Sequence, residues 1–297
     1  MTAVLQRPAP PAVAAPRARI QRHDHPLWFL IPAFVLLGVF FLLPTLFNFI
    51  YAFTDWSSFK AAINPVGFAN FTGLTSDGTL LRAVRITLVY AVLVAIFQNV
   101  FGFGLAVLLE RDTVVNRILR VAFLIPVLMS ALAVGYIFQA LLKPGGGLGL
   151  EHALLGDTTW TIVVVAVIHA WKWMGLSMLI YLAGLKTIPE DVIEAARIDG
   201  ASRWRSFWSV RFPLLAPAVT FNVATALLGS MNGFDIVQAT TGGGPARTTE
   251  ILNIFIYRTF GQGLFAQATT MSLVLFLLVA LLAFPVIAML RRREEVL

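Results

Sequence analysis

The sequence predicts an all-α polytopic membrane protein with six transmembrane helices, and three observations carry that prediction. Apolar residues make up 58% of the 297-residue chain and charged residues 12%. With a mean hydropathy of +0.82, this is more apolar surface than one water-soluble core of that length can enclose. Uncharged or nearly uncharged runs of about twenty residues, the length a helix needs to cross hydrocarbon, recur six times. Lys and Arg gather in alternate connections between those runs, the asymmetry that sets orientation in a membrane.

Residues 1–26 are rich in Pro, Ala and Arg and contain no apolar run, so they read as a flexible cytoplasmic tail and not as a cleaved signal. Residues 27–297 form the transmembrane domain, with spans expected at 27–53, 86–109, 121–142, 160–185, 214–237 and 266–290. The first span is too long for a signal's apolar segment and lacks a clear cleavage site, so it stays as an anchor. Pro44, Pro126, Pro217 and Pro285 fall within or near spans, where neighbouring helices can satisfy the carbonyls that proline frees.

Arginines of the tail, Arg111, Arg117 and Arg120 of the second connection, the five cations from Lys186 to Arg211, and Arg291 to Arg293 share one side. The other side holds Lys60, Arg82, Arg85, Lys143, Arg247 and Arg258. That distribution puts both termini and the fourth connection in the cytoplasm. The net charge of +7 expresses this bias and an affinity for anionic lipid headgroups, with nucleic-acid binding the weaker explanation.

The fourth connection, residues 187–213, reads as a hook of two short helices. Thr187 and Glu190 have capping-box spacing, Pro189 sits in the first turn, and Val192, Ala195 and Ala196 make one apolar face. Asp199-Gly200 ends that helix, because glycine takes the left-handed backbone cheaply. Trp204, Phe207 and Trp208 follow at helical spacing, and Pro213 is expected to stop the second helix where the next span begins.

The absence of cysteine excludes disulfides, thiolate chemistry and Cys-based metal sites. No GxxxxGK[ST] occurs, and the glycine runs at 145–147 and 242–244 lack the following Lys-Ser or Lys-Thr, so the chain is not expected to bind ATP. Those glycines instead shape outward loops where a docking partner comes close. With no HExxH, GxSxG or convergent carboxylates, the chain is not expected to be an enzyme or to hold a cofactor or metal. A secondary transporter is the rival class, but it usually needs more spans, inverted repeats and buried carboxylates, where this chain has Asp235 near a span end.

Polar groups inside spans are costly and need a role. Lys172 lies about one turn from His169, between Trp171 and Trp173. Tryptophan faces stack on sugar rings, and lysine donates to hydroxyls or phosphate. The alternative is that Lys172 snorkels to an interface or pairs with another subunit. His169 has no second metal ligand nearby in sequence. Ser230, Asn232, Asp235 and Gln238 place hydroxyl, amide and carboxylate groups near the outer half of the fifth span, while Gln98, Asn99, Asn222 and Asn232 suit interhelical hydrogen bonds.

The hook resembles the signature of the integral-membrane subunits of bacterial ATP-binding-cassette (ABC) importers, in which EAA, three residues, Gly, nine residues and Ile-x-Leu-Pro lie on the cytoplasmic face. Glu194, Ala195, Ala196, Gly200 and Pro213 match, with Val210 and Phe212 in place of Ile and Leu. Further segments resemble the carbohydrate branch, specifically the first of two homologous permeases of maltose or glycerol-phosphate type. These are FLLPTLFNFIYAFTDW at 41–56, Asn70-Phe71, TGGGP at 241–245 and Tyr257-Arg258.

The resemblance implies a type I ABC importer transmembrane domain with cytoplasmic EAA coupling helices, in the bacterial cytoplasmic membrane. It also implies a second permease, an ATPase dimer carrying ATP and Mg, an extracytoplasmic solute-binding protein, and a sugar, polyol or glycerol-phosphate as cargo. Coupling to the ATPase then falls to Glu194, Ala195, Ala196, Asp199, Gly200 and Pro213, with Glu194 meeting a basic residue of that subunit. The substrate pathway implied by the family falls on Val127, Ser130, Ala131, His169, Lys172, Trp173, Leu176, Ala226 and Ser230, to which polarity adds Asn232 and Asp235. In the remaining alternative this chain is a structural half that makes few cargo contacts.

Overall fold

The computed structural model describes residues 27–149 and 153–294; the predicted tail at 1–26 lies outside the described residues. The chain divides into two units, 1–45 and 46–297. In the first, a 3-10 turn at Leu27–Leu30 leads into α1 (Ile31–Leu37) and a π-helical stretch, Gly38–Leu42; α2 (Leu43–Tyr51) begins there and has most of its length in the second. Leu43 donates its amide to Gly38 O, five residues back. Pro44 explains the widening, since it has no N–H for Phe40 O and its ring would press on that carbonyl.

The second unit contains α3 (Ala69–Ser76), α4 (Thr79–Leu108), α5 (Val114–Leu128), α6 (Ala131–Leu142), α7 (Thr161–Lys186), α8 (Glu190–Ile198) and α9 (Arg203–Ser206). A second π stretch, Phe207–Arg211, leads to α10 (Phe212–Leu214), then α11 (Ala216–Met231), α12 (Phe234–Thr240), α13 (Leu252–Gly261) and α14 (Phe265–Glu294). The described residues contain no strand, only a bridge between Thr54 and Pro65. Asn70, from the Asn-Phe element, clasps the exit of α2 by donating to Ala52 O at 2.9 Å and Thr54 O at 2.8 Å.

Among the described residues, four stretches are long and apolar enough to cross a membrane: Ile31–Tyr51, Thr79–Leu108, Thr161–Lys186 and Phe265–Leu282. Two bent pairs, α5 with α6 at 97° and Arg203–Leu214 with α11 at 65°, raise the count to six when each is taken as one span. Two expectations need correction here. The run at 121–142 is broken at Met129 and Ser130, whose backbones are extended. The run at 214–237 ends at Met231 and resumes as α12 after Asn232 and Gly233.

Helix α7 is the centre of the packing. Its N-terminal half joins Tyr90, Val94, Val165 and Ile168 to Ile236 and Ile251, and its C-terminal half joins Ala106, Met178, Tyr181 and Leu182 to Leu215. Without side chains at Gly102 and Gly175 the backbones come close: a Cβ at Gly102 would collide with Ser177 and sit 3.1 Å from Met178 N, and one at Gly175 would collide with the Phe123 carbonyl. Close approach at small residues substitutes for hydrophobic drive where lipid is as apolar as the core.

Gly102→Ala is therefore expected to lower stability by about 1–3 kcal/mol through overpacking. Gly104→Ala, on the same helix with nothing within 4 Å of a new Cβ, should be neutral or stabilising. Melting of the detergent-solubilised protein checks both, and equal melting temperatures for the two variants would contradict the packing described.

Candidate functional site

Two sites stand out, the hook that joins α7 to α11 and a cavity partway along the same two helices. The hook follows α7 directly. Pro189 caps α8 without a side-chain bond, and Thr187 donates back to Gly184 O at 2.8 Å. Thr187 thus closes α7, and the expected capping box with Glu190 is not made, because proline at 189 commits the chain to an extended entry. Glu190 and Asp191 still favour the positive end of α8.

The end of α8 is a Schellman motif. Gly200 has φ +79°, its amide donates to Arg197 O at 3.0 Å, and Ala201 N donates to Ala196 O at 2.9 Å. Ser202 then caps α9 by accepting from Arg205 N at 3.3 Å. The second helix runs past Pro213 to Leu214 and bends at Leu215, so Pro213 does not stop it. Pro213 follows the π stretch at the same offset as Pro44, and Pro217 opens α11, so the bend is flanked by two missing donors.

Ala196 is buried, whereas Glu194, Ala195, Asp199 and Gly200 are exposed. Ile198 is 86% exposed and Trp204 73%, a bare apolar surface beside a carboxylate. Glu194 has no ion pair among the described residues. Two contacts that local sequence gave no sign of meet at the end of α4, and the first of them ties the hook to the bundle. Arg211 pairs with Glu110 just beyond α4, and Arg120 of α5 donates to Leu109 O at 2.6 Å and Glu110 O at 3.1 Å, capping α4's free carbonyls.

The second site is a cavity of about 250 Å³ between α4, α7 and α11. It is lined by His169, Trp173, Leu176, Ser177 and Ile180 of α7, by Gln98 of α4, and by Asn222, Thr225 and Gly229 of α11. Gln98 Nε2 donates to Ser177 Oγ at 2.9 Å and Asn222 Nδ2 to Ser177 O at 3.3 Å. Gln98 and Asn222, two of the four amides expected to bond between helices, do so and also line the cavity. Asn99 Oδ1 accepts from Tyr181 at 2.6 Å, but Asn232 bonds within α11, to Leu228 O, and is not interhelical. His169 Nδ1 lies 2.8 Å from the Tyr90 hydroxyl.

Of the predicted pathway, His169, Trp173 and Leu176 come together here. Ala226 and Ser230 are buried in α11 without lining the cavity, Ser130 and Ala131 sit at the α5–α6 bend, and Asn232 and Asp235 are exposed beyond α11. Lys172 neither snorkels nor lines the cavity. It is 3% exposed, stacks 4.3 Å from the Trp173 ring centroid, and donates to Val127 O at 3.2 Å. In an unbroken helix that carbonyl would accept from the amide of Ala131, so the ammonium replaces the donor that the bend removes. Ser177, Ile180, Thr225 and Gly229 were not foreseen. The spacing 169, 173, 176, 180 on α7 and 222, 225, 229 on α11 marks one face of each helix, which is the signal that finds them.

Residues 98–293 match the family described as binding-protein-dependent transport system inner membrane component. Among curated relatives, the multiple sugar-binding transport system permease protein of Streptococcus mutans is 30% identical over 264 residues, covering 86% of this chain and 91% of the relative. The sn-glycerol-3-phosphate transport system permease protein of Agrobacterium fabrum is 30% identical, covering 87% and 92%. Among solved structures, a bacterial ABC transporter involved in import of the acidic polysaccharide alginate superposes with a TM-score of 0.76 at 21% identity, over 89% of this chain and 94% of the other.

Lys172→Met should leave the partly buried Val127 O without its side-chain donor and cost about 1 kcal/mol or more. The expected result is a melting temperature several degrees below that of the unmodified protein. An unchanged value would mean that the ammonium does not hold the bend.

Proposed function

The chain belongs to the inner membrane components of binding-protein-dependent transport systems, and from that premise we propose that it is one half of the membrane pathway of an ATP-driven importer for a carbohydrate, a polyol or a glycerol-phosphate ester. As a family member it is a multi-pass permease subunit and not an enzyme. The observation that carries the fuller reading is the hook: a capped two-helix element, exposed on its apolar face, with a carboxylate free among the described residues, placed on the helices that line the cavity.

In this reading the hook seats in a groove of an ATPase dimer, which holds ATP and Mg, and Glu194 meets a basic side chain there. Both termini share the hook's cytoplasmic side, a placement the cation distribution supports. Closure of the ATPase pair moves α8 to α10 as a lever. Because Arg211 holds Glu110, and Ile188 and Leu215 pack with Leu185, the movement is passed to α4, α7 and α11. The cavity then opens alternately to the two sides, delivering cargo received from a solute-binding protein.

Sugar chemistry is supported by the cavity's content: two amides, two hydroxyls, an imidazole and an indole, with no carboxylate among its lining residues. Such groups hydrogen-bond hydroxyls in either direction and offer a ring face for stacking. At about 250 Å³ the cavity is smaller than the roughly 300–1,000 Å³ of ligand clefts. A homologous second permease would complete it, which assigns this chain part of a shared site.

Gly200→Leu forces a side chain into a left-handed backbone, at roughly 1–2 kcal/mol, while nothing lies within 4 Å to clash with its Cβ. The variant is expected to insert normally, yet to co-purify with the ATPase subunit severalfold less and to lose stimulation by loaded binding protein. Wild-type co-purification together with wild-type stimulation would overturn the reading.

A further inference from the structure

The face opposite the hook carries six cations by sequence, and the structure accounts for them unevenly. Lys60 is held by Asp55 at 2.7 Å, and Arg258 pairs with buried Glu250. Arg82, Arg85 and Arg247 converge instead on one basin of about 570 Å³ between the start of α4, the start of α7 and the loop after TGGGP. Since α4 runs on to Leu108, Arg82 and Arg85 lie roughly 35–40 Å from the hook's end of that helix.

Arg82 and Arg85 are exposed and have no ion pair or side-chain hydrogen bond among the described residues. Arg247 keeps Glu250 at 3.6 Å, but that carboxylate also serves Arg258, so it does not neutralise both. Asp157, next to the lining residue Thr158, is one counter-charge beside the basin, and Asp77 is another. The Thr79 amide and hydroxyl hold its carboxyl below its ordinary value, and Arg247 and Arg82 add to the effect. A positive surplus remains, on the side of a membrane protein where arginine is normally sparse.

The rest of the basin is apolar. Leu81, Ile86, Val89 and Ile162 line it, with Leu81 70% and Val89 41% exposed on a membrane-spanning helix. Trp160, 61% exposed between the lining residues Thr158 and Ile162, has the amphipathic ring that settles at headgroup level. Arginines above, aliphatic side chains below and an interfacial indole beside them match one kind of molecule. We propose that the basin binds an anionic phospholipid of the outer leaflet, its phosphate on Arg82, Arg85 and Arg247 and an acyl chain along Leu81 and Val89. Arginine's forked donors suit phosphate oxygens, and an acidic patch on a docking protein would leave the apolar wall unused.

The test uses the whole delipidated importer, titrated with phosphatidylglycerol or phosphatidylcholine and read by native mass spectrometry. Phosphatidylglycerol should be retained at least about fivefold better. Arg82→Gln with Arg85→Gln should abolish the preference, Arg82→Lys with Arg85→Lys should restore most of it, and millimolar inorganic phosphate should not displace the lipid. Equal retention of the two lipids, or retention unaffected by the Gln pair, would overturn the proposal. Displacement by phosphate would do so too, making the basin a site for free anions. So would loss of binding-protein-stimulated ATPase in the Gln pair with lipid retention intact, since the basin would then be a protein-docking surface.

Discussion

Helix α7 lies at backbone contact with α4 and α5 because Gly102 and Gly175 put no side chain between them. In hydrocarbon the usual gain from removing apolar surface from water is absent, so dispersion between closely approaching backbones and a few hydrogen bonds must hold the bundle. The bonds from Gln98 to Ser177 and from Tyr181 to Asn99, together with the Tyr90–His169 contact, fall along the same α4–α7 seam. The seam fixes which face of α7 is left for α11, and the cavity forms where those three helices do not close.

The hook's bend is flanked by two prolines without donors, whereas the α5–α6 bend takes a donor away from Val127 O, and each is repaired differently. At α5–α6 the carbonyl of Val127 is served by Lys172, which places a costly cation inside the bundle but spends it on a partly buried acceptor. At the hook, two prolines four residues apart bracket Leu215, and the side chain of that residue is buried with Leu185 and Ile188. The second bend therefore has an apolar anchor and an ion pair, Arg211 with Glu110, rather than a flexible joint. An element so held moves with its neighbours, which is the property a lever requires in the proposed importer.

Features governed by neighbouring residues were legible in the sequence. The apolar runs marked most of the helical mass, and Asp199-Gly200 announced a turn that the structure builds with a positive φ and both Schellman bonds. What escaped depended on residues far apart in the chain. The break at Met129 is stabilised from 45 residues away, and the Glu110–Arg211 pair spans 101. Thr187 was read as starting α8 when its hydroxyl closes α7, a choice that spacing alone does not make. Lys172 stands out in the sequence because charge in a span demands a role; in the fold it bonds Val127 O, and the cavity is lined by smaller polar groups such as Ser177 and Thr225.

The account stands on the hook facing the cytoplasm and being covered by the ATPase. The chain has no cysteine, so Ile198→Cys, at a position 86% exposed, gives a single reactive thiol. Labelling with a membrane-impermeant maleimide in vesicles of both orientations, with and without the ATPase subunit, measures side and cover together. The account predicts labelling only in inside-out vesicles, suppressed severalfold when the ATPase subunit is present. Labelling from the outside, or labelling indifferent to that subunit, would contradict it.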